Sequence, residues 1–150
     1  MKFILVSFVF AAILYSCKKS NNTPSVYWKL DDKTYYGEAA FDGSSVYAVD
    51  ALGNIASVDF LNDTIIGGNY AVESGDTSHT IYSNAPPQCN VIFLTQAGTH
   101  LVFSTGKSSD SVNVSFSGKD IVVTFSNVTV TDSLNNIQTA SGKLVALYGY

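Results

Sequence analysis

Two short segments decide the fold of this chain: Val112-Asn113-Val114-Ser115-Phe116 and Ile121-Val122-Val123-Thr124-Phe125, separated by Ser117-Gly118-Lys119-Asp120. Apolar residues occupy every second position of both segments, which is the period of a strand that turns one face to the core. The separating residues include Gly and Asp, which favour tight turns. The two segments therefore predict a β-hairpin with one face in water.

The same pattern extends in both directions from this hairpin. From Val26 onward, short apolar runs alternate with turn residues at the spacing typical of antiparallel sheets, and no helical period is sustained. Strands are predicted at 26–30, 33–37, 45–50, 55–61, 69–74, 79–83, 90–95, 100–104, 111–117, 120–131 and 137–148. The runs Val91–Leu94 and Leu144–Tyr148 are apolar at successive positions, which predicts strands covered on both faces.

These strands predict an all-β domain over residues 26–150, folded as a single antiparallel β-sandwich of about eight to ten strands. A closed, lipocalin-like barrel is the alternative. Composition agrees, because 46% of the residues are hydrophobic, 13% are aromatic and only 13% are charged. Such a chain is too apolar for disorder, and at 150 residues it is large enough for one core.

The charge balance excludes one large class of partner. The chain contains no Arg, and from residue 24 onward five lysines stand against all twelve carboxylates. Nucleic-acid binding depends on Lys and Arg neutralising phosphates, so no nucleic-acid partner is expected. An anionic membrane surface would also repel this domain, and membrane attachment must come from elsewhere in the chain.

The N-terminus resembles the export signal of a lipoprotein. Lys2 supplies a positive charge, residues 3–15 form an uncharged apolar run, and Leu14-Tyr15-Ser16-Cys17 resembles the lipobox of bacterial lipoproteins. The run is shorter than the ~20 residues of a membrane-spanning helix. We expect residues 1–16 to be a signal peptide, Cys17 to carry the lipid, and residues 17–25 to be a flexible tether. An ordinary secretory signal is the alternative.

With the lipobox, three segments carry a family resemblance: Asp32–Gly37 (DKTYYG), Gly68–Val72 (GNYAV) and Thr139–Leu144 (TASGKL). Together they are similar to small Bacteroidota-type lipoproteins of unknown function with an all-β, sandwich-type domain. The resemblance implies a cell-envelope protein, anchored to the outer membrane on its periplasmic or its surface face. It names no catalytic residue.

Catalytic and metal-binding motifs are largely missing from the chain. Gly106-Lys107-Ser108 lacks the earlier glycine of a phosphate-binding loop, and there is no G-x-S-x-G, H-E-x-x-H or C-x-x-C motif. Asp76 with His79 could make half of a zinc site, and Asp31, Asp32, Asp42 and Asp50 could collect around Ca²⁺, but neither set has a recognised spacing. We therefore expect no catalytic activity, no metal and no cofactor. Cys89, which precedes an apolar strand, is expected to be a buried structural thiol.

The alternation of aromatic residues predicts a surface for binding. If Asp31-Asp32 is a two-residue turn, Trp28 faces Tyr35 inside, whereas Tyr27 faces Tyr36 outside. Tyr82 is also expected to face outward. Exposed Tyr rings can stack on a sugar or a flat peptide, so these three are the candidate ligand contacts. An outward aromatic pair can equally stabilise the hairpin without any ligand.

Three sites resemble the D-[ST]-aliphatic sequon for O-glycosylation in this bacterial group, with the acceptors Thr64, Ser111 and Ser133. Asp at a turn followed by a strand explains the same pattern without sugar. The sequence thus predicts a non-enzymatic envelope lipoprotein that serves as a structural, interaction or glycan- or peptide-binding module, with a glycan or an envelope protein as partner. The alternative is a barrel that carries a small lipophilic ligand.

Overall fold

The computed structural model describes residues 25–62, 64–74, 87–95, 100–107 and 109–148. Within these ranges the secondary structure is β only. The strands are β1 (Tyr27–Leu30), β2 (Lys33–Phe41), β3 (Ser45–Asp50), β4 (Ile55–Phe60), β5 (Gly68–Val72), β6 (Gln88–Thr95), β7 (His100–Ser104), β8 (Ser111–Ser117), β9 (Asp120–Asp132) and β10 (Ile137–Leu147). The all-β prediction is confirmed, with ten strands.

All ten strands belong to one mixed sheet in the order β10-β1-β2-β3-β4-β6-β5-β8-β9-β7, with further pairings of β10 with β9 and of β6 with β7. Each strand therefore has hydrogen-bonded neighbours along both of its edges, and the fold is sandwich-like around one core. The order differs from the up-and-down order of a lipocalin, because β4 pairs with β6, β5 with β8 and β7 with β9.

One pairing corrects the expectation of a purely antiparallel sheet. Ala71 and Val72 of β5 pair in parallel with Gln88 and Cys89 of β6. Residues 73–87 join these two strands, a connection long enough for the chain to return in the same direction. The predicted strand at 79–83 falls within this connection and lies outside the described residues.

The hairpin that decides the fold is confirmed, and its turn is shorter than the four separating residues. Val112 pairs with Phe125 and Phe116 with Ile121, and Ser117 pairs with Asp120 across Gly118-Lys119. The positive φ of Gly118, 62°, fits a two-residue hairpin turn. Val112, Val114, Ile121 and Val123 point into the core, as expected, whereas Phe116 near the end of β8 is 41% exposed.

The core is built from the inward positions of nearly every strand. Trp28, Phe93 and Leu144 have no exposed surface, and each such side chain contributes about 1.5–3 kcal/mol on burial. Phe93 and Phe125 bring β6 and β9 together, with ring centroids 6.2 Å apart. Not every apolar position of the C-terminal strand is covered, since Leu147 at the end of β10 is 71% exposed. The expectation of two covered faces is wrong at that residue.

Candidate functional site

The candidate site begins at the β1–β2 hairpin. Leu30 pairs with Lys33, so Asp31-Asp32 is the expected two-residue turn. Inside, the rings of Trp28 and Tyr35 stack with centroids 5.5 Å apart and planes 5° apart. Because side chains alternate between the two faces of a strand, the neighbouring residues Tyr27 and Tyr36 point outward. Tyr27 pairs with Tyr36, which is 54% exposed.

The strand register extends this pair into a row of outward side chains across six neighbouring strands. Tyr27 pairs with Lys143 on β10, Lys143 with Thr124 on β9, and Thr124 with Asn113 on β8. Asn113 pairs in turn with Asn69 on β5, and its Nδ2 donates a hydrogen bond of 2.9 Å to Asn69 Oδ1. We call this set the transverse row: Tyr36, Tyr27, Lys143, Thr124, Asn113 and Asn69.

The length and chemistry of the transverse row follow from the sheet. Neighbouring strands lie about 4.8 Å apart, so the row follows the curved sheet over a path of about 24 Å. One end carries two phenol rings, the middle a single ammonium group, and the other end a hydroxyl and two amides. Such a row offers flat aromatic rings at one end and many hydrogen-bonding groups along the rest of its length.

A β-bulge lies beside the transverse row and shapes the surface there. Ala140 pairs with Val128 and Gly142 with Phe125, so Ser126 and Asn127 of β9 both face Ser141 of β10. Asn127 has a φ of 56°, and its backbone N–H donates to Ser141 Oγ at 3.0 Å. Bulges re-aim side chains and are enriched next to functional sites.

Next to the bulge the surface forms a shallow groove. Its walls include Tyr27, Lys143, Thr124 and Asn113 of the transverse row together with Ser111 and Ser126, and Phe125 and Gly142 also line it. Gly142 is required here, because a Cβ at that position would lie 2.6 Å from Cζ of Phe125. Because Gly142 has no side chain, the ring of Phe125 packs close to the Gly142 backbone.

The electrostatics of this face differ from those of the acidic protein as a whole. All members of the transverse row are uncharged except Lys143. Lys29 pairs with Ser141 two residues along from the Tyr27–Lys143 pair, so the two lysines are diagonal neighbours. Among the described residues, neither lysine forms a salt bridge.

Two of the four aspartates considered for Ca²⁺, Asp42 and Asp50, accept hydrogen bonds from their own turns. Asp50 Oδ1 accepts hydrogen bonds from the N–H groups of Leu52 and Asn54, both at 2.8 Å, and its Oδ2 accepts one from Asn54 Nδ2 at 2.7 Å. Burial opposes ionisation of Asp50, but these hydrogen bonds outweigh it and lower its pKa. Over the described ranges, no three His, Cys, Asp or Glu residues are grouped so as to hold a metal ion.

The β9–β10 loop repeats this arrangement bond for bond. Asp132 Oδ1 accepts from the N–H groups of Leu134 and Asn136, both at 2.9 Å, and Oδ2 accepts from Asn136 Nδ2 at 2.8 Å. The hydrogen bonds from Asn136 lower the pKa of Asp132. Gly53 and Asn135 hold equivalent positions with φ of 79° and 63°. Asp-x-Leu-[Gly/Asn]-Asn is thus a five-residue loop used twice.

Cys89 is the buried thiol that the sequence predicts. The side chain is free and has no exposed surface. Burial raises its pKa to about 12, so the reactive thiolate is scarce near neutral pH. His100, which no motif singled out, lies 3.7 Å from Asp132, measured from Nε2 to Oδ2.

The remaining predicted residues are scattered over the chain. Thr64, Ser111 and Ser133 are all exposed, and Ser111 lines the groove beside the transverse row. The carboxylate before it, Asp110, is 7% exposed and accepts a 2.7 Å hydrogen bond from the Thr129 N–H. Cys17, Asp76, His79 and Tyr82 lie outside the described residues.

Sequence reasoning found Tyr27 and Tyr36 but missed the rest of the transverse row. Asn113 and Thr124 could be paired from the β8–β9 hairpin, because both segments alternate strictly. Lys143 could not, since the pairing of β1 with β10 joins distant parts of the chain.

No helix in the described part of the chain is long and apolar enough to cross a membrane. The fold and the transverse row define an all-β protein with an extended polar and aromatic surface. No protein-family model, curated protein or solved structure matches the chain.

Proposed function

We propose that the chain is an envelope lipoprotein whose β domain is a non-enzymatic binding module for a glycan, with the transverse row as the contact surface. The observation that supports this most is the row itself, in which two outward Tyr side chains lie in line with hydroxyl, amide and ammonium groups across six strands. A glycan presents the complementary chemistry, with flat ring faces and many hydroxyl groups.

The Tyr pair gives the row its apolar part. A Tyr ring is rigid and loses little conformational freedom when it stacks on a ligand, while its hydroxyl remains free to hydrogen-bond. Although Tyr27 and Tyr36 are directly opposite, their rings form no aromatic contact with each other, whereas Trp28 and Tyr35 stack inside. Each of the two outward rings can therefore stack on a ligand independently of the other.

The groove beside the bulge supports the same assignment. Ser111, Ser126 and Thr124 supply hydroxyl groups there, and Asn113 supplies an amide. Hydroxyl and amide groups both donate and accept, as a sugar hydroxyl requires of its partners. An extended peptide could also hydrogen-bond to these side chains. It could not add to the sheet as a further strand, because the six strands are already paired with neighbouring strands along both edges.

A lipophilic carrier is the weaker candidate. A carrier needs an apolar cavity within the fold. The inward side chains of the described strands pack into one cluster, in which Trp28, Phe93 and Leu144 are fully buried. An interaction module for an envelope protein remains compatible with the same row and would use the same Tyr residues.

The anchoring part of the proposal rests on the sequence. Lipid on Cys17 would attach the protein to the outer membrane, on its periplasmic or its surface face, through a tether over residues 17–25. The proposal invokes no cofactor, no metal and no catalytic residue.

Substitution of both Tyr residues tests the proposal. With the full-length lipoprotein in detergent micelles, Tyr27→Ser with Tyr36→Ser should weaken retention on immobilised glycans about tenfold, because two stacking contacts are lost. The melting temperature should change little, since an outward cross-strand pair is worth about 0.2–1 kcal/mol.

Tyr47 provides the matched control. It is an outward Tyr on β3 between buried Val46 and Ala48, away from the transverse row. Tyr47→Ser should leave glycan retention unchanged. Equal retention by the parent and the double variant, or no retention of any glycan by the parent, would overturn the proposal.

A further inference from the structure

The positive charge on and beside the transverse row indicates a narrower class of glycan ligand. In the described part of the chain, Lys29 and Lys143 lie diagonally on neighbouring strands β1 and β10 with no salt-bridge partner. Diagonal positions in a sheet are about 7–8 Å apart, so the two ammonium groups can reach one anion. Two ammonium groups within reach of the same anion attract it more strongly than either would alone.

The surroundings of the two lysines contain little negative charge. Tyr27, Thr34, Ser141, Thr124 and the bulge residues beside them are all uncharged. The carboxylate nearest to Lys29 in sequence is that of Asp31 in the adjoining turn, whose Oδ1 accepts a hydrogen bond from the Thr139 N–H at 2.9 Å, so two ammonium groups face one carboxylate here. The lysines thus form a local positive patch on a protein that has more carboxylates than lysines.

We propose that the transverse row binds an acidic glycan, with a carboxylate of the sugar at Lys143 and Lys29 and an adjacent ring on Tyr27. This inference rests on the proposed function. Tyr27 pairs directly with Lys143, so one sugar unit can stack on the ring while its acidic group meets the ammonium. Ser126 and Thr124 line the same groove and can donate to the remaining sugar oxygens.

A pair of polymers with the same backbone and different charge tests this inference. Polygalacturonate and its methyl ester share one backbone, and only the first carries free carboxylates. The full-length lipoprotein in detergent micelles should bind polygalacturonate about fivefold more tightly than the ester, and the preference should vanish in high salt, because exposed ion pairs are weak and screened.

Lysine variants test whether Lys29 and Lys143 cause the preference for polygalacturonate. Lys29→Gln with Lys143→Gln should remove the fivefold preference, so that polygalacturonate binds no more tightly than the ester. Lys119→Gln, in the exposed β8–β9 turn, is the matched control and should keep the preference. Equal binding of both polymers by the parent, or an undiminished preference in the double lysine variant, would overturn the inference.

The outcomes separate this inference from the proposed function. Binding of both polymers that depends on Tyr27 and Tyr36 but not on the lysines would contradict the acidic class alone. If neither polymer nor any other glycan binds, the proposed function fails as well. Micelles that contain phosphatidylglycerol should not compete with polygalacturonate; full competition would identify an anionic lipid as the ligand and contradict the glycan.

Discussion

Replacement of Gly37 by alanine should lower the melting temperature by roughly 5–10 °C, corresponding to about 2–3 kcal/mol. In a strand, alanine is ordinarily favoured over glycine by about 0.5–1 kcal/mol. At Gly37 the local geometry reverses that sign. A Cβ there would overlap the carbonyl oxygen of Val49, lie 2.6 Å from its carbonyl carbon and lie 3.0 Å from the Asp50 nitrogen.

The cost is high because the obstructing atoms belong to backbone. Gly37 pairs with Asp50 as the first residue pair between β2 and β3, so relief of the overlap must separate the two strands. Gly67 is the matched control, since a Cβ there would find its nearest atom, the Val114 oxygen, at 3.7 Å. Thermal unfolding of the full-length protein measures the effects of Gly37→Ala and of the control Gly67→Ala. Equal melting temperatures for Gly37→Ala, Gly67→Ala and the parent would contradict the close strand approach.

Replacement of Cys17 by serine should abolish lipid attachment altogether. The thiol accepts the diacylglyceryl group as a thioether in a lipoprotein signal, and a serine hydroxyl does not replace it. In a bacterial host, Cys17→Ser should give no label from a palmitate analogue and should accumulate as an uncleaved precursor.

The second cysteine offers the control for this experiment. Cys89 is buried in β6, and Cys89→Ala should leave palmitate labelling intact while removing the other thiol of the chain. A labelled Cys17→Ser protein would show that the lipid is elsewhere. A cleaved but unlabelled parent would show an ordinary secretory signal, and in both cases the proposed anchor would be wrong.

The strands themselves could be predicted because each depends on local information. Alternation between polar and apolar residues repeats every two positions, and Gly, Asp and Asn mark the turns. The β1–β2 register was predictable on the condition of a two-residue turn, which the structure has, and the β8–β9 hairpin was predictable from the alternation in both segments. The inward Trp28–Tyr35 stack follows from that register.

The parts that sequence did not predict depend on contacts between distant segments. The parallel pairing of β5 with β6 and the pairing of β1 with β10 carry no local signature. The bulge at Ser126 and Asn127 became visible only once β9 and β10 were paired. Most of the transverse row therefore required the structure, although its aromatic end did not.

The repeated loop is a different case, because its signal is in the sequence. Asp50–Asn54 and Asp132–Asn136 share Asp, Leu and Asn at the same three positions and share their hydrogen bonds. Two short loops this far apart form no repeat of fixed period. Their shared Asp-x-Leu-x-Asn pattern nevertheless predicts the same role for both aspartates, which is stabilisation of the loop.

Covalent labelling of side chains in the full-length protein, with and without oligogalacturonate, tests most directly whether the transverse row is the binding surface. We expect the oligosaccharide to protect Tyr36 and Lys143 from modification, because both contribute to that row. Tyr47 and Lys119, which lie outside it, should label equally in both samples. Protection of Tyr47 or Lys119 with full labelling of Tyr36 and Lys143 would contradict the assignment of this surface.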